Sequence, residues 1–136
     1  MILAHWKSDN NGKIFEQTLE THLYATGVLA GKIGQRVGMK SFMKLAGYLH
    51  DIGKADRLFQ DYIRGNTKQQ VNHSSAGGRI LEDLIKSDQE LTFLKQSKIK
   101  FAYFQELLTY ILLAHHGLFD LIPYGSSEHK IYQRLR

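Results

Sequence analysis

The stretch GYLHDIGKAD, residues 47–56, ends an apolar run with a histidine beside an aspartate. His50 and Asp51 are followed at once by Ile52, Gly53 and Lys54. Neighbouring residues on a helix point about 100° apart, so both side chains can face one centre only where the helix ends. Gly53 is a residue type that commonly ends a helix. The doublet is therefore either a metal-binding pair or two ordinary polar residues at a helix terminus, and the other histidines distinguish these readings.

The composition is that of a folded globular domain. The chain has 136 residues, of which 43% are hydrophobic and 11% aromatic, so it is long enough to bury a core. Cysteine is absent, which excludes disulfides and thiolate metal sites and favours a reducing compartment. No signal-peptide core and no membrane-spanning stretch is visible. We expect a soluble, cytoplasmic protein with no membrane partner.

The charge balance is basic. Lys and Arg number 18 against 13 Asp and Glu, which gives a net charge of +5 and a pI near 9.4. This excess suits a polyanionic partner, although many small proteins are equally basic. The seven histidines are more informative because of where they lie.

Hydrophobic periodicity is helical along the chain, and it predicts an all-α fold, a single compact helical bundle. A first long helix has one apolar face, with Gly34 and Gly38 weakening its end. That face contains Leu19, His22, Leu23, Thr26, Ala30, Ile33 and Val37. A second helix begins near Ser41 as its N-cap and ends near Gly53. Its predicted buried side contains Phe42, Leu45, Ala46 and Leu49.

Further helices are predicted downstream. ADRLFQDYIRG is a short helix closed by Gly65, and HSSAGGRILEDLIKS is a longer one that Ser74 or Ser75 can cap. DQELTFLKQSKIK is a weaker amphipathic segment. FAYFQELLTYILLAHHG is the most apolar helix, with His115 and His116 in its last turn. No segment alternates with period two for long, so we predict no sheet.

Histidines recur on the core-facing stripes of three predicted helices, at His22, His50 and His115. A buried imidazole needs partners for its nitrogens, and an unpaired one costs roughly 1–3 kcal/mol. One such residue is more often a satisfied core histidine, but several in one domain indicate a shared metal ion. The doublet His115-His116, like His50-Asp51, precedes a glycine at an apolar helix end.

Three residues close in sequence to the histidines each have more than one possible role. Lys54 can pair with the Asp51 carboxylate, extend to solvent, or hold a phosphate oxygen beside a metal. Ser74 and Ser75 follow His73 and either cap a helix or meet an anion at its N-terminus. Imidazole-rich ligation itself favours Mn, Fe, Co, Ni or Zn over Mg.

These residues resemble the HD-domain metal phosphohydrolases, an all-α superfamily. HDIGK with an upstream histidine in LETHLYATG carries the general likeness. Together with the later segments NHSSAGG and LLAHHG, these residues resemble one member of the superfamily in particular. It is the HD nuclease domain of the CRISPR-associated nuclease-helicase of type I interference systems. The resemblance runs from about His5 to Gly117.

The resemblance implies two divalent metal ions. His22, His50 and Asp51 would hold the first. His73, His115 and His116 would hold the second, with Asp51 shared between them. Lys54 matches the lysine near the scissile phosphate, so Asp51 and Lys54 are the implied catalytic residues.

The implied activity is metal-dependent endonuclease or exonuclease cleavage of single-stranded DNA in antiviral defense. The implied partners are a helicase domain and the CRISPR RNA-guided surveillance complex. His5 is expected near the site, and His129 in a solvated basic tail.

The family pattern contains a further aspartate ligand, well downstream. This chain departs from the pattern because it has no convincing match for that residue. Asp120 is too close to AHHG to match it. We therefore expect an HD nuclease domain over residues 1–136, truncated before that ligand. Two alternatives stay open: an HD phosphohydrolase acting on a nucleotide, since HDxGK does not specify a substrate, and an incomplete, non-catalytic HD domain.

Overall fold

A computed structural model of the chain describes residues 1–69, 71–90 and 99–116. Helices account for most of these residues, which confirms the predicted all-α class. The chain divides into two compact units, Met1–His73 and Ser74–Arg136. In the part of the chain that the structure describes, no helix has the length and hydropathy needed to cross a bilayer.

The first unit starts with two strands and continues with helices. Its elements are β1 (Leu3–Ser8), β2 (Ile14–Thr18), α1 (Leu19–Gln35), α2 (Lys40–Leu49), the 3-10 helix η1 (Ile52–Ala55) and α3 (Arg57–Ile63). The second unit contains α4 (Ser74–Ser87) and α5 (Ile99–Ala114).

The prediction that the chain has no sheet is wrong, because β1 and β2 form an antiparallel hairpin. The turn is held by Asp9, whose Oδ1 accepts from the backbone N–H groups of Asn11 and Lys13 at 2.9 Å. Gly12 has a φ of +78°, which favours glycine there. The Asn11-Gly12 dipeptide is a strong hairpin signal, but the short strands alternate too little to stand out.

Helix α1 begins at Leu19, the first residue of the predicted apolar face. Thr18 caps it by accepting a hydrogen bond from the backbone N–H of Thr21 at 3.2 Å. Its buried face, however, differs from the predicted one at the C-terminal end, because Ile33 and Val37 are 58% and 71% exposed. The small residues Gly27, Gly31 and Gly34 are buried instead, and they lie against α2.

Helices α1 and α2 cross at glycines, which lets their backbones touch. A Cβ added to Gly47 would lie 2.7 Å from the Gly27 Cα and 2.9 Å from its nitrogen. At Gly34, an added Cβ would lie 2.8 Å from the Met39 carbonyl oxygen. Gly34 is therefore a packing residue as well as a residue near the end of α1, which lies at Gln35.

Helix α2 begins and ends earlier than predicted. Met39 is its N-cap and provides no side-chain cap, so the assignment of this role to Ser41 is wrong. The α-helix ends at Leu49, and Gly53 lies buried inside η1 rather than at the α-helix terminus. The change from α to 3-10 geometry therefore occurs at His50 and Asp51 themselves.

Gln60 of α3 fixes β1 against η1. Its Oε1 accepts from the Leu3 N–H at 2.9 Å, and its Nε2 donates to the Leu3 carbonyl at 2.8 Å. The same Nε2 also donates to the Lys54 carbonyl at 2.7 Å. Gln60 is buried, so these bonds are shielded from water. The predicted closure of α3 by Gly65 is confirmed by a φ of +77° there.

In the second unit, α4 packs on α5. Leu81 and Ile85 of α4 are buried, as are Leu108, Leu112 and Leu113 of α5. Both helices match predicted segments, although α5 starts at Ile99. The predictions for most of DQELTFLKQSKIK, for Gly117 and for the chain beyond it lie outside the described residues.

We predict that Gly47→Ala lowers the free energy of unfolding by about 1–3 kcal/mol, because its methyl group meets the backbone of α1. Thermal and urea unfolding measure the effect. Ser41→Ala, at an exposed position of the same helix, is the matched control and should leave stability nearly unchanged. Equal stability of the two variants would contradict the described helix crossing.

Candidate metal centre

The Asp51 carboxylate is the centre of a polar cluster in the first unit. Its side chain is only 6% exposed. Oδ2 lies 3.0 Å from His22 Nε2, 3.3 Å from His50 Nε2 and 2.8 Å from Lys54 Nζ. Three nitrogens from two helices and a 3-10 turn thus meet at one carboxylate oxygen.

The two imidazoles also face each other. His22 Nε2 and His50 Nε2 are 3.2 Å apart, and their ring centroids are separated by 5.1 Å. Because both nitrogens also face Asp51, His22, His50 and Asp51 present two nitrogen donors and one oxygen donor to a common point. The Gly27–Gly47 crossing makes this possible, since it brings α1 and α2 together shortly after His22 and shortly before His50.

The tautomer of His50 is set by the helix end. Its Nδ1 donates to the Gly47 carbonyl at 2.8 Å, one of the last carbonyls of α2. In the neutral ring, Nε2 then carries a lone pair that faces the cluster. His22 Nε2–H therefore donates to His50 Nε2 or to Asp51 Oδ2 when no cation is bound.

Burial and hydrogen bonding act in opposite directions on these histidines. Burial lowers the pKa of His22, against the opposing hydrogen bond to Asp51. Burial also acts to lower the pKa of His50, but its hydrogen bonds to Asp51 and the Gly47 carbonyl outweigh this and raise it. His22 therefore stays neutral at lower pH than an ordinary histidine does, and a neutral imidazole is the form that binds metals.

The second carboxylate oxygen faces a different histidine. His73 Nε2 lies 3.3 Å from Asp51 Oδ1, and the His73 ring packs edge-on against Phe59 with centroids 4.8 Å apart. The two oxygens of Asp51 therefore point to separate sets of imidazoles, His22 and His50 on one side and His73 on the other. This is the arrangement that a carboxylate shared between two cations requires.

Lys54 is buried, with 7% of its side chain exposed. Besides Asp51, its ammonium contacts the Ala4 carbonyl at 3.3 Å and lies 5.8 Å over the Phe59 ring. Of the three roles considered from sequence, the structure favours pairing with Asp51 over extension to solvent. The 3-10 geometry, with the Lys54 N–H donating to the Asp51 carbonyl at 2.9 Å, brings the two side chains together.

His5 lies beside the cluster, as expected. Its ring meets that of His22 edge to face, with centroids 4.8 Å apart. Burial, followed by the Lys54 charge, lowers the pKa of His5. Two residues that position β1 at the cluster were not predicted from sequence. The Ala4 carbonyl accepts from Lys54, and the Gln60 side chain bonds to Leu3. Nothing in the sequence around either residue distinguishes it.

In the second unit, His115 and His116 follow the end of α5. Their ring centroids are 4.0 Å apart, and His115 Nδ1 donates to the Leu112 carbonyl at 2.6 Å. This repeats the bond of His50 to the carbonyl three residues earlier, so Nε2 of neutral His115 also keeps its lone pair. Ser74 is buried at the start of α4, and Asp120 and His129 lie outside the described residues.

The donors of the first unit fit a divalent cation. Two imidazole nitrogens and a carboxylate converge, and a cation there would replace the proton of His22 Nε2. Nitrogen-rich sites of this kind suit Mn, Fe, Co, Ni or Zn. His22, His50 and Asp51 are the residues that could hold it.

A family model described as HD domain matches residues 19–133 of the chain. The matched range starts at the first residue of α1 and spans both units. HD domains are generally metal-dependent phosphohydrolases. Among curated proteins and solved structures, none matches the chain significantly.

We predict that Asp51→Asn weakens Mn²⁺ or Ni²⁺ binding by about 100-fold or more. Mutating a residue that only hydrogen-bonds to a metal ligand already lowers metal affinity about 10–100-fold, and Asp51 is itself a ligand in this account. Calorimetric titration of chelator-stripped protein measures this. Asp83→Asn removes an exposed carboxylate of α4 and should bind like the wild type. Unchanged affinity in Asp51→Asn would rule out this centre.

We predict that Lys54→Met lowers the free energy of unfolding of the metal-free protein by up to about 3–5 kcal/mol, because Asp51 loses its buried counter-charge. The pKa values of His22 and His50 then rise, because the Lys54 charge that lowers them is gone. They offset its charge below their folded pKa and lose this effect as pH rises, so the loss should grow with pH.

Unfolding with and without Mn²⁺ tests this account of Lys54. A bound cation should recover part of the lost stability. Lys40→Met, at an exposed site of α2, is the control. If the loss of stability in Lys54→Met changes neither with pH nor with Mn²⁺, Lys54 does not serve as the counter-charge.

Proposed function

The chain belongs to the HD-domain family, and from this premise we propose that it is a metal-dependent nuclease. In this proposal it hydrolyses phosphodiester bonds of single-stranded DNA in CRISPR type I antiviral interference. The observation that carries the proposal is the Asp51 carboxylate, with His22 and His50 at one oxygen and His73 at the other. A carboxylate placed in this way fits a two-ion phosphodiesterase.

The ligands of the second ion are assigned from the family resemblance. We propose that His115 and His116 join His73 and Asp51 in holding it, and that residues 1–136 act as one HD nuclease domain. Their position in LLAHHG supports this assignment, as does the Leu112 bond that leaves His115 Nε2 as an acceptor.

Bound divalent ions supply Lewis-acid stabilisation of phosphate oxygens and activation of water. The residues of the chain prepare the site for this chemistry. Lys54 holds the Asp51 carboxylate in place at 2.8 Å, and its charge stands beside the position where a phosphate would add negative charge. Gly47 holds the His50 ring so that Nε2 faces the cluster. Asp51 and Lys54 are therefore the proposed catalytic residues.

The proposed partners follow from the resemblance and the charge. A net charge of +5 favours association with a polyanion such as DNA. A helicase domain that delivers single-stranded DNA, and a CRISPR RNA-guided surveillance complex that selects it, would complete the system in the cytoplasm.

We predict that the wild-type protein cleaves single-stranded DNA in Mn²⁺ or Ni²⁺ and that excess chelator abolishes the cleavage. Asp51→Asn should reduce the rate by about 100-fold or more, since it weakens the metal centre. His115→Ala should also lose activity, whereas Asp83→Asn should retain it. Gel assays of a labelled oligonucleotide measure the rates, and circular dichroism checks folding.

Parallel assays with nucleoside mono-, di- and triphosphates separate the substrate classes. Faster turnover of a nucleotide than of single-stranded DNA would point to an HD nucleotide phosphohydrolase instead. Cleavage that persists in chelator would contradict the proposal outright. Metal binding with no turnover of either class would identify a non-catalytic HD domain.

A further inference from the structure

The β1–β2 hairpin has two exposed faces of different character. Directly paired residues in an antiparallel hairpin share a face, and neighbours along a strand alternate. The pairs His5–Gln17 and Lys7–Phe15 define one face, here called the His5 face. The pairs Trp6–Glu16 and Ser8–Ile14 define the other, here called the Trp6 face.

The His5 face combines an aromatic ring with cations. Phe15 is 50% exposed, and Lys7 pairs directly opposite it. Lys13 Nζ lies 5.1 Å over the Phe15 ring, so this face carries an aromatic ring and two lysines, one over the ring and one opposite it in the register. None of the residues that define this face is acidic, whereas Glu16 lies on the Trp6 face. Asp9 is in the turn, where its carboxylate accepts from backbone N–H groups.

The His5 face is continuous with the metal centre. The His5 ring contacts that of His22 at a centroid distance of 4.8 Å, and His22 in turn contacts Asp51. The preceding residue, Ala4, accepts a hydrogen bond from Lys54. A ligand held at the metal centre can therefore run past His5 onto Lys7 and Phe15 without leaving the surface of the first unit.

The hairpin is anchored at its base, and its turn is closed by hydrogen bonds of its own. Gln60 fixes Leu3 at the base of β1 through two hydrogen bonds. At the tip, the Asp9 N–H donates to the Lys13 carbonyl at 3.0 Å, and the Gly12 N–H donates to the Asp9 carbonyl at 3.1 Å. A platform ordered in advance binds a flexible ligand at a lower entropic cost.

We propose that the His5 face binds single-stranded DNA next to the metal centre, an inference that rests on the proposed nuclease function. Phe15 stacks on a base, and Lys7 and Lys13 contact phosphates. Proteins that bind single strands without sequence preference combine such aromatic stacking surfaces with cationic grooves. Lys7 and Phe15 lie about 7 Å beyond His5 along the strand direction, which favours a polymer over a single nucleotide at the centre.

Binding of a fluorescein-labelled oligothymidylate, followed by anisotropy in chelator, tests the surface without cleavage. Phe15→Ala should weaken binding about tenfold, within the range measured for lost base stacking. Lys7→Ala should reduce the slope of log affinity against log salt by about 0.7, the value for one single-strand phosphate contact. Ile14→Ala on the Trp6 face and Lys32→Ala on α1 are matched controls, both exposed, and should bind like the wild type.

A second assay separates this inference from the proposed function. Hydrolysis of bis(p-nitrophenyl) phosphate in Mn²⁺ needs the metal centre but not a DNA surface, so Phe15→Ala should leave it unchanged while raising KM for oligonucleotide cleavage. If the wild type hydrolyses neither substrate but DNA binding depends on Phe15 and Lys7, the nuclease proposal fails and the surface stands. If Phe15→Ala and Lys7→Ala bind DNA like the wild type, or Ile14→Ala weakens binding equally, the surface is overturned.

Discussion

A buried negative charge on Asp51 is the constraint on which the first unit depends. A carboxylate that is 6% exposed loses most of its hydration, at a cost of several kcal/mol unless partners compensate it. Lys54 supplies the counter-charge at 2.8 Å, and the imidazoles of His22, His50 and His73 complete the surroundings. The change from α2 to η1 at His50 and Asp51 is what allows one short stretch to provide ligand, carboxylate and ammonium together.

The presence of Lys54 has a consequence for metal choice. The ammonium offsets part of the Asp51 charge, so the carboxylate remains a required ligand but does not by itself decide which cation binds. The preference among metals then comes mainly from the neutral imidazole nitrogens, which favour Mn, Fe, Co, Ni or Zn over Mg. The bond between His50 Nδ1 and the Gly47 carbonyl keeps one such nitrogen facing the cluster. Helix packing, hydrogen bonding and metal preference are therefore linked through a few residues.

Much of the centre could be predicted from sequence, because its chemistry is concentrated in short motifs. HDIGK placed His50, Asp51 and Lys54 at a helix end, and helical periodicity put His22 on a core-facing stripe. The remainder depends on contacts between distant segments. Gly34 looks like a helix breaker until Met39 and Met43 are seen against it. Likewise, beyond the buried Leu3 and Ala4, residues on both faces of the hairpin are exposed, so the strands lack the alternation that marks a half-buried strand.

Anomalous diffraction from crystals grown with Mn²⁺ tests the central claim most directly, because it locates the ion without relying on activity. The account predicts a peak about 2.0–2.4 Å from His22 Nε2, His50 Nε2 and an oxygen of Asp51, the range of ordinary metal–ligand bonds. It would be contradicted by crystals in which Mn²⁺ binds elsewhere, or nowhere, while Lys54 and the histidines keep their contacts with Asp51.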